Sequence, residues 1–168
     1  MCKDGEMVLM DVGAEWANWN ADMTRTVPVN GRFTDRQRDV YNSVLSVQRG
    51  SMDFLRPGVT QQEWRDHTID LMEIELIKLG LIDAEEAKRQ DSRDRPLVKK
   101  YYMHGIGHHL GLDVHDVGAY YVDGESRPLE SGMVLTIEPG LYVAEDDEGA
   151  PEPLRGLGTV SYTHLTLP

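Results

Sequence analysis

Residues 103–116, Met-His-Gly-Ile-Gly-His-His-Leu-Gly-Leu-Asp-Val-His-Asp (MHGIGHHLGLDVHD), hold four of the six histidines in a chain of 168 residues. Gly105, Gly107 and Gly111 oppose a helix here, since each glycine inside a helix costs roughly 1 kcal/mol relative to alanine. The segment therefore reads as extended, and in an extended chain positions 104 and 108 point to the same side. Neutral imidazole is a common ligand for zinc, manganese and iron, and it also shuttles protons near neutral pH. One histidine of the pair reads as a metal ligand and the other as a group that handles substrate. Side-chain-free walls at the glycines leave room for a peptide backbone. His104, His108 and His115 form the candidate set. His109, on the opposite face, and His67, in a helical stretch, read as hydrogen-bonded structural residues.

Three carboxylates elsewhere fit the same chemistry. Asp11 lies inside the apolar run MVLMDV (7–12), and an ionised carboxylate in an apolar strand is costly unless paired, hydrogen-bonded or bound to metal. Asp22 begins the returning strand, so a hairpin brings it towards Asp11, and a divalent cation between two aspartates removes their repulsion. A plainer reading has Asp11 ending a strand and Asp22 paired with Arg25. Glu138 follows the apolar run of LTIEPGLY and precedes Pro139-Gly140, again a buried charge seeking a cation or else a turn carboxylate. Asp, Asp, His and Glu together make an oxygen-rich ligand set with one nitrogen. Such a set suits manganese, iron or cobalt, and zinc less exclusively, and carboxylate bridges suit two metals roughly 3.5 to 4 Å apart. Hydrolysis is the natural chemistry of such a site.

Around these groups the chain reads as α+β. The runs 7–12 and 25–29 are strands joined through a turn at 16–20. Thr34 with Gln37 forms a capping box opening a helix that carries Val40, Tyr41, Val44 and Leu45, with an interruption expected near Gly50 and a stop at Arg56-Pro57-Gly58. Thr60 with Glu63 opens a second helix with Trp64, Leu71, Met72, Leu76 and Leu79 on one face and Gly80 as its C-cap. Residues 83–100 are charge-rich and read as a short helix or solvated loop without chemistry. Strands and turns follow from Tyr101. Seventeen basic against 29 acidic side chains give a net charge of −12, which argues against a nucleic-acid partner. No apolar run approaches a membrane span. The lone cysteine, Cys2, excludes an internal disulfide, and a cytoplasmic location is expected.

The runs MVLMDVG, ADMTRTVPVNGRFT, RPGVT, YYMHGIGHHLGLDVHDVG and SGMVLTIEPGLYV resemble, in order and spacing, aminopeptidase P, the Xaa-Pro aminopeptidases of the pita-bread metallopeptidase superfamily. The resemblance implies a partial pita-bread fold, a curved antiparallel sheet with helices packed outside. It implies that Asp11, Asp22, His108 and Glu138 are ligands of a two-metal site, with Mn2+ as the ion. It further implies that His104 and His115 contact substrate and stabilise the tetrahedral intermediate, with Glu138 assisting a bridging hydroxide. The expected substrates are peptides with proline at the second position, and an intact parent enzyme is expected to be a homo-oligomer. Prolidase, which acts on Xaa-Pro dipeptides, shares nearly all these motifs, and a non-catalytic peptide-binding relative is the alternative from another class.

Two departures accompany the resemblance. The family's fifth metal ligand, a bridging glutamate, follows a motif like Arg155-Gly156-Leu157-Gly158, and the sequence TVSYTHLTLP there contains no carboxylate. Val160 to Pro168 matches the translation of a transposon end and sequencing adapter. The reading is therefore a partial catalytic domain over 1–158 and a foreign tail over 159–168. The start of the chain close to Asp11 is read as internal to a longer protein, with the fragment itself weakly active or inactive.

Overall fold

The computed structural model describes residues 1–91 and 94–168. The part of the charge-rich stretch at 92–93 lies outside the described residues. In chain order the elements are β1 (Met7–Val12), β2 (Glu15–Trp16), β3 (Trp19–Asn20), β4 (Met23–Pro28), α1 (Asp35–Phe54), α2 (Gln61–Lys78), α3 (Ala84–Arg89), α4 (Pro96–Tyr101), β5 (Tyr121–Val122), β6 (Glu125–Ser126), β7 (Val134–Ile137), β8 (Gly140–Tyr142), β9 (Gly158–Val160) and β10 (Thr163–Thr166).

Helix α1 starts where its capping box predicts, with the Thr34 side chain accepting from the Gln37 N–H and the Gln37 side chain accepting from the Thr34 N–H. Helix α2 starts on the same device at Thr60 and Glu63. It ends at Gly80, whose positive φ lets the Gly80 and Leu81 N–H groups donate back to the Ile77 and Leu76 carbonyls. The interruption expected near Gly50 does not occur, and α1 runs unbroken through it. The glycine serves packing instead, because a Cβ there would lie 2.7 Å from Leu71 Cδ1 of α2. Between the two helices the Trp64 indole N–H donates to Ser51 Oγ at 2.7 Å, and Ser51 bonds Thr68 at 2.9 Å. Trp64, Ser51 and Thr68 thus satisfy one another across this buried seam.

The strands assemble as antiparallel ladders. β1 pairs β4, with Asp11 opposite Thr24. β7 pairs β10 and β8 pairs β9, with Ile137 opposite Thr163 and Gly140 opposite Val160. The register is the same on both sides of the bend, so Glu138 faces Tyr162. Reciprocal backbone hydrogen bonds between Thr24 and Tyr162 join β4 to this pair. Residues 106–110 run along the other side of β7, with Ile106 and His108 accepting from Glu138 and Thr136 and Leu110 donating to Val134. Helix α1 packs against β7, β8 and β9 and hydrogen-bonds Ser161 through the Gln48 side chain.

The tail set apart in the sequence is part of this assembly, with Leu167 buried and its N–H bonded to Met133. Thr163, Leu165 and Leu167 turn inwards while His164 and Thr166 are exposed, the alternation of a strand with one covered face. The core between helices and sheet contains Val40, Val44, Trp64, Met72, Leu76, Leu135 and Ile137, all at or below 1% exposure. Trp64→Ala is expected to destabilise the fold by about 3–5 kcal/mol, since it removes a fully buried indole and leaves Ser51 without its donor. Urea unfolding followed by circular dichroism measures this directly.

Candidate metal centre

Asp22, His108 and Glu138 come from three separate parts of the chain and meet at one point. One ligand atom from each lies within 4.8 Å of the others. His108 Nε2 is 2.8 Å from Glu138 Oε1 and 3.2 Å from Asp22 Oδ2, and both carboxylate residues are only 7% exposed. The plainer reading of Asp22 as the partner of Arg25 does not hold. Arg25 instead donates to the backbone carbonyls of Thr24 and Tyr162.

Local structure explains how each group is held. The His108 Nδ1 lies 2.8 Å from the His109 carbonyl, which only accepts, so Nδ1 carries a proton and Nε2 of the neutral ring offers its lone pair to the cluster. Thr136, two residues before Glu138 and fully buried, accepts from the His108 N–H at 2.9 Å and donates to Glu138 Oε1. This clamp was missed in the sequence. The signal for it was the period of two that places Thr136 and Glu138 on one side of β7.

His104 stands beside the cluster, with Nδ1 donating to the Gly105 carbonyl at 2.9 Å and Nε2 accepting from the Tyr142 hydroxyl at 3.0 Å. The exposed His115 lays its ring 4.2 Å from that of His108. His109 is buried and stacks on Tyr120, and His67 stacks on Phe54.

Two sequence-based arguments need correction. Among the described residues Asp11 is exposed and lies outside the three-residue cluster, with β1 paired to β4 alone and its apolar residues Leu9, Met10 and Val12 exposed too. The run MVLMDV is thus no buried strand, and the desolvation argument for Asp11 fails. The glycines of the histidine segment serve close packing more than substrate access. A Cβ on Gly107 would strike the Thr136 carbonyl and the Trp64 ring, and one on Gly111 would strike Asp116, while Gly105 alone of the three faces open space.

Electrostatics at the cluster are strongly coupled. Burial raises the Asp22 pKa, and the carboxylates of Glu138 and Asp11 raise it further, while His108 opposes them. Burial also pushes Glu138 upwards, but hydrogen bonds from His108 and Thr136 and the charge of His108 bring it below its ordinary value. For His108 burial disfavours the charged ring, yet the bonds to Glu138 and the His109 carbonyl and the charges of Glu138 and Asp22 lift its pKa from 6.5 to about 9. Two anions converging on one imidazole thus hold a proton tightly, and a cation of higher charge fits the same place.

A family model described as metallopeptidase family M24 matches residues 1–167. The chain belongs to metallopeptidase family M24. The Xaa-Pro aminopeptidase of Escherichia coli (strain K12) is 47% identical over 158 residues, which span 93% of this chain and 34% of that protein. Human Xaa-Pro aminopeptidase 3 is 42% identical over 158 residues, covering 94% of this chain and 30% of its own length. The M24 chain thus spans about a third of the length of these relatives. Among solved structures, Pseudomonas aeruginosa aminopeptidase PepP superposes with a TM-score of 0.88 at 38% identity, covering 98% of this chain and 37% of that one. A zinc-substituted E. coli aminopeptidase P in complex with product gives 0.86 at 43% identity, covering 98% and 36%. The fold is a partial pita-bread fold, matching part of the aminopeptidase P structures, and is mixed α+β as its sequence implies.

In the chelator-treated protein the His108 ring is expected to titrate at about 9 by NMR, and Glu138→Gln is expected to lower that value. Because the folded value lies above the ordinary 6.5, the associated stability is complete below about pH 6.5 and is lost as the pH rises through about 9. Unchanged stability of the metal-free protein across that window would contradict the coupling.

Proposed function

We propose that this M24 chain carries the catalytic segment of a metal-dependent aminopeptidase that hydrolyses the bond between an N-terminal residue and a following proline. The observation that carries the reading is the convergence of Asp22, His108 and Glu138 beside His104 and His115. Relatives named Xaa-Pro aminopeptidase and aminopeptidase P support the choice of reaction.

Two buried carboxylates and one imidazole with its lone pair directed inwards suit a divalent cation, so the donor set fits the implied metal. Asp22, His108 and Glu138 are the proposed ligands, with Asp11 at the rim as the fourth, and manganese as the ion, two per site in the intact enzyme. Bound divalent ions at such a site make water ionise near neutral pH and polarise the scissile carbonyl.

The chain's own residues do the rest. In this reading Glu138 accepts the proton of the attacking water and passes it to the leaving proline nitrogen, a role supported by the Thr136 hydrogen bond that orients its carboxylate. His104, its tautomer set by Gly105 and Tyr142, and His115, on the open side of the cluster, bind the substrate backbone and the developing oxyanion.

Protein from the complete gene, loaded with manganese, is expected to release alanine from Ala-Pro-Ala. Turnover of Ala-Pro without Ala-Pro-Ala would replace this reading with prolidase, and metal uptake without hydrolysis of either would favour a non-catalytic relative. His104→Ala is expected to lower kcat by about 10²-fold or more while metal content stays unchanged. The present chain, with Tyr162 facing Glu138, is expected to be weakly active or inactive in the same assay.

A further inference from the structure

We infer that Asn20 is a positioning residue for His115, tying the loop of residues 111–115 to β3 and so holding the His115 ring beside the cluster of Asp22, His108 and Glu138. The inference rests on the reading of His115 as a group that binds substrate. His115 stands in an exposed stretch, residues 112–115, that belongs to no strand or helix. Among the described residues its ring makes no hydrogen bond, yet it lies 4.2 Å from the His108 ring. Its place is therefore set by the backbone that carries it. That backbone leaves the side of β7 after the Leu110 N–H donates to Val134, and the loop closes where the Asp116 N–H donates to the His109 carbonyl at 3.0 Å. Between these points Asn20 grips the loop from outside. Its backbone N–H donates to the Gly111 carbonyl at 2.9 Å, and its side-chain amide donates to the Leu112 carbonyl at 2.6 Å. The same amide nitrogen lies 3.5 Å from the Gly111 carbonyl oxygen. Two acceptors face this amide, so its nitrogen and not its oxygen points at the loop.

The position of Asn20 in the chain suits this task. Asp22 lies two residues further on and meets His108, while Asn20 meets Gly111 and Leu112, so one short stretch supplies both a proposed metal ligand and the hold on the loop. The hairpin of β2 and β3 has little anchorage in the core. Trp16 and Trp19, opposite each other in register, are 86% and 51% exposed. Its two-residue turn places Ala17 and Asn18 at positive φ, a conformation that disfavours alanine. Burial does not account for a strained and exposed hairpin, and the grip on the loop gives it a part in the site. Because the backbone N–H of residue 20 donates to Gly111 whatever the side chain, a substitution there loosens the loop without freeing the strand. Asn20→Asp keeps the size of the side chain but turns a carboxylate towards two carbonyl oxygens.

Nuclear magnetic resonance of the metal-free 168-residue chain reads the positioning independently of turnover. A nuclear Overhauser effect between the His108 and His115 rings is expected in the unaltered chain, and it is expected to weaken several-fold in Asn20→Ala and Asn20→Asp while circular dichroism stays unchanged. The cross-peak at full strength in folded Asn20→Asp would overturn the inference and leave the substrate role of His115 standing, and its absence from the unaltered chain would overturn the inference as well. In the manganese-loaded protein from the complete gene, Asn20→Ala is expected to lower kcat/KM for Ala-Pro-Ala by roughly 3- to 10-fold, the worth of one such hydrogen bond, with metal content unchanged. Added to His115→Ala, the same substitution is expected to have no further effect, since Asn20 acts through that ring. Full additivity of the two losses would overturn the inference. Ordinary turnover by His115→Ala would overturn the reading of His115, and with it the part assigned to Asn20.

Discussion

Asp22 and Glu138, two carboxylates of like charge, are buried against the same imidazole nitrogen of His108, within 3.2 and 2.8 Å. Such an arrangement is unstable without a positive charge between the anions, supplied by the His108 proton or by a metal ion. The remaining structure can be understood as what keeps these groups from separating. Asp22 immediately precedes β4, His108 lies in the extended segment along β7, and Glu138 stands at the bend between β7 and β8. None of the three is close to another in sequence, so their meeting depends on strand register. A one-residue slip on β7 would turn Glu138 away from His108 and Thr136 together.

That register is secured from behind. Trp64 and Thr136 close over Gly107 tightly enough that any side chain there would force the histidine segment off β7. Trp64 is in turn locked to α1 through Ser51, and α1 approaches α2 closely at Gly50. Gln48 of α1 reaches the bend at Ser161, which adjoins the pair Glu138 and Tyr162. A contiguous set of packed and hydrogen-bonded groups thus runs from the helix hairpin to the carboxylates. The three donors thus sit just outside the strands, held by hydrogen bonds and a buried core rather than on a free loop.

Much of this was legible in the residues. Both capping boxes, the Gly80 terminus, the hairpin strands and the grouping of His104, His108 and His115 follow from local spacing and short-range chemistry. Three readings failed for one common reason, that they required knowledge of what lies across the fold. Gly50 looks like a break until Leu71 is seen against it, and Asp11 looks buried until β1 is seen with a single neighbour. Gly107 looks like a gap for substrate until Thr136 and Trp64 are seen to fill it. Thr136 went unnoticed because a threonine in an apolar strand is ordinary until its hydroxyl is placed between a backbone N–H and a carboxylate.

By itself the sequence determined the local elements, the chemistry of the donors and, through ordered motifs, the family, since capping, periodicity and residue type act over a few positions along the chain. Only the tertiary structure decided that three of the four proposed ligands converge while Asp11 stays at the rim, and that Tyr162 faces Glu138. Those outcomes depend on strand register and sheet neighbours, which are set by contacts between residues more than a hundred positions apart in sequence, as in the bond between Thr24 and Tyr162.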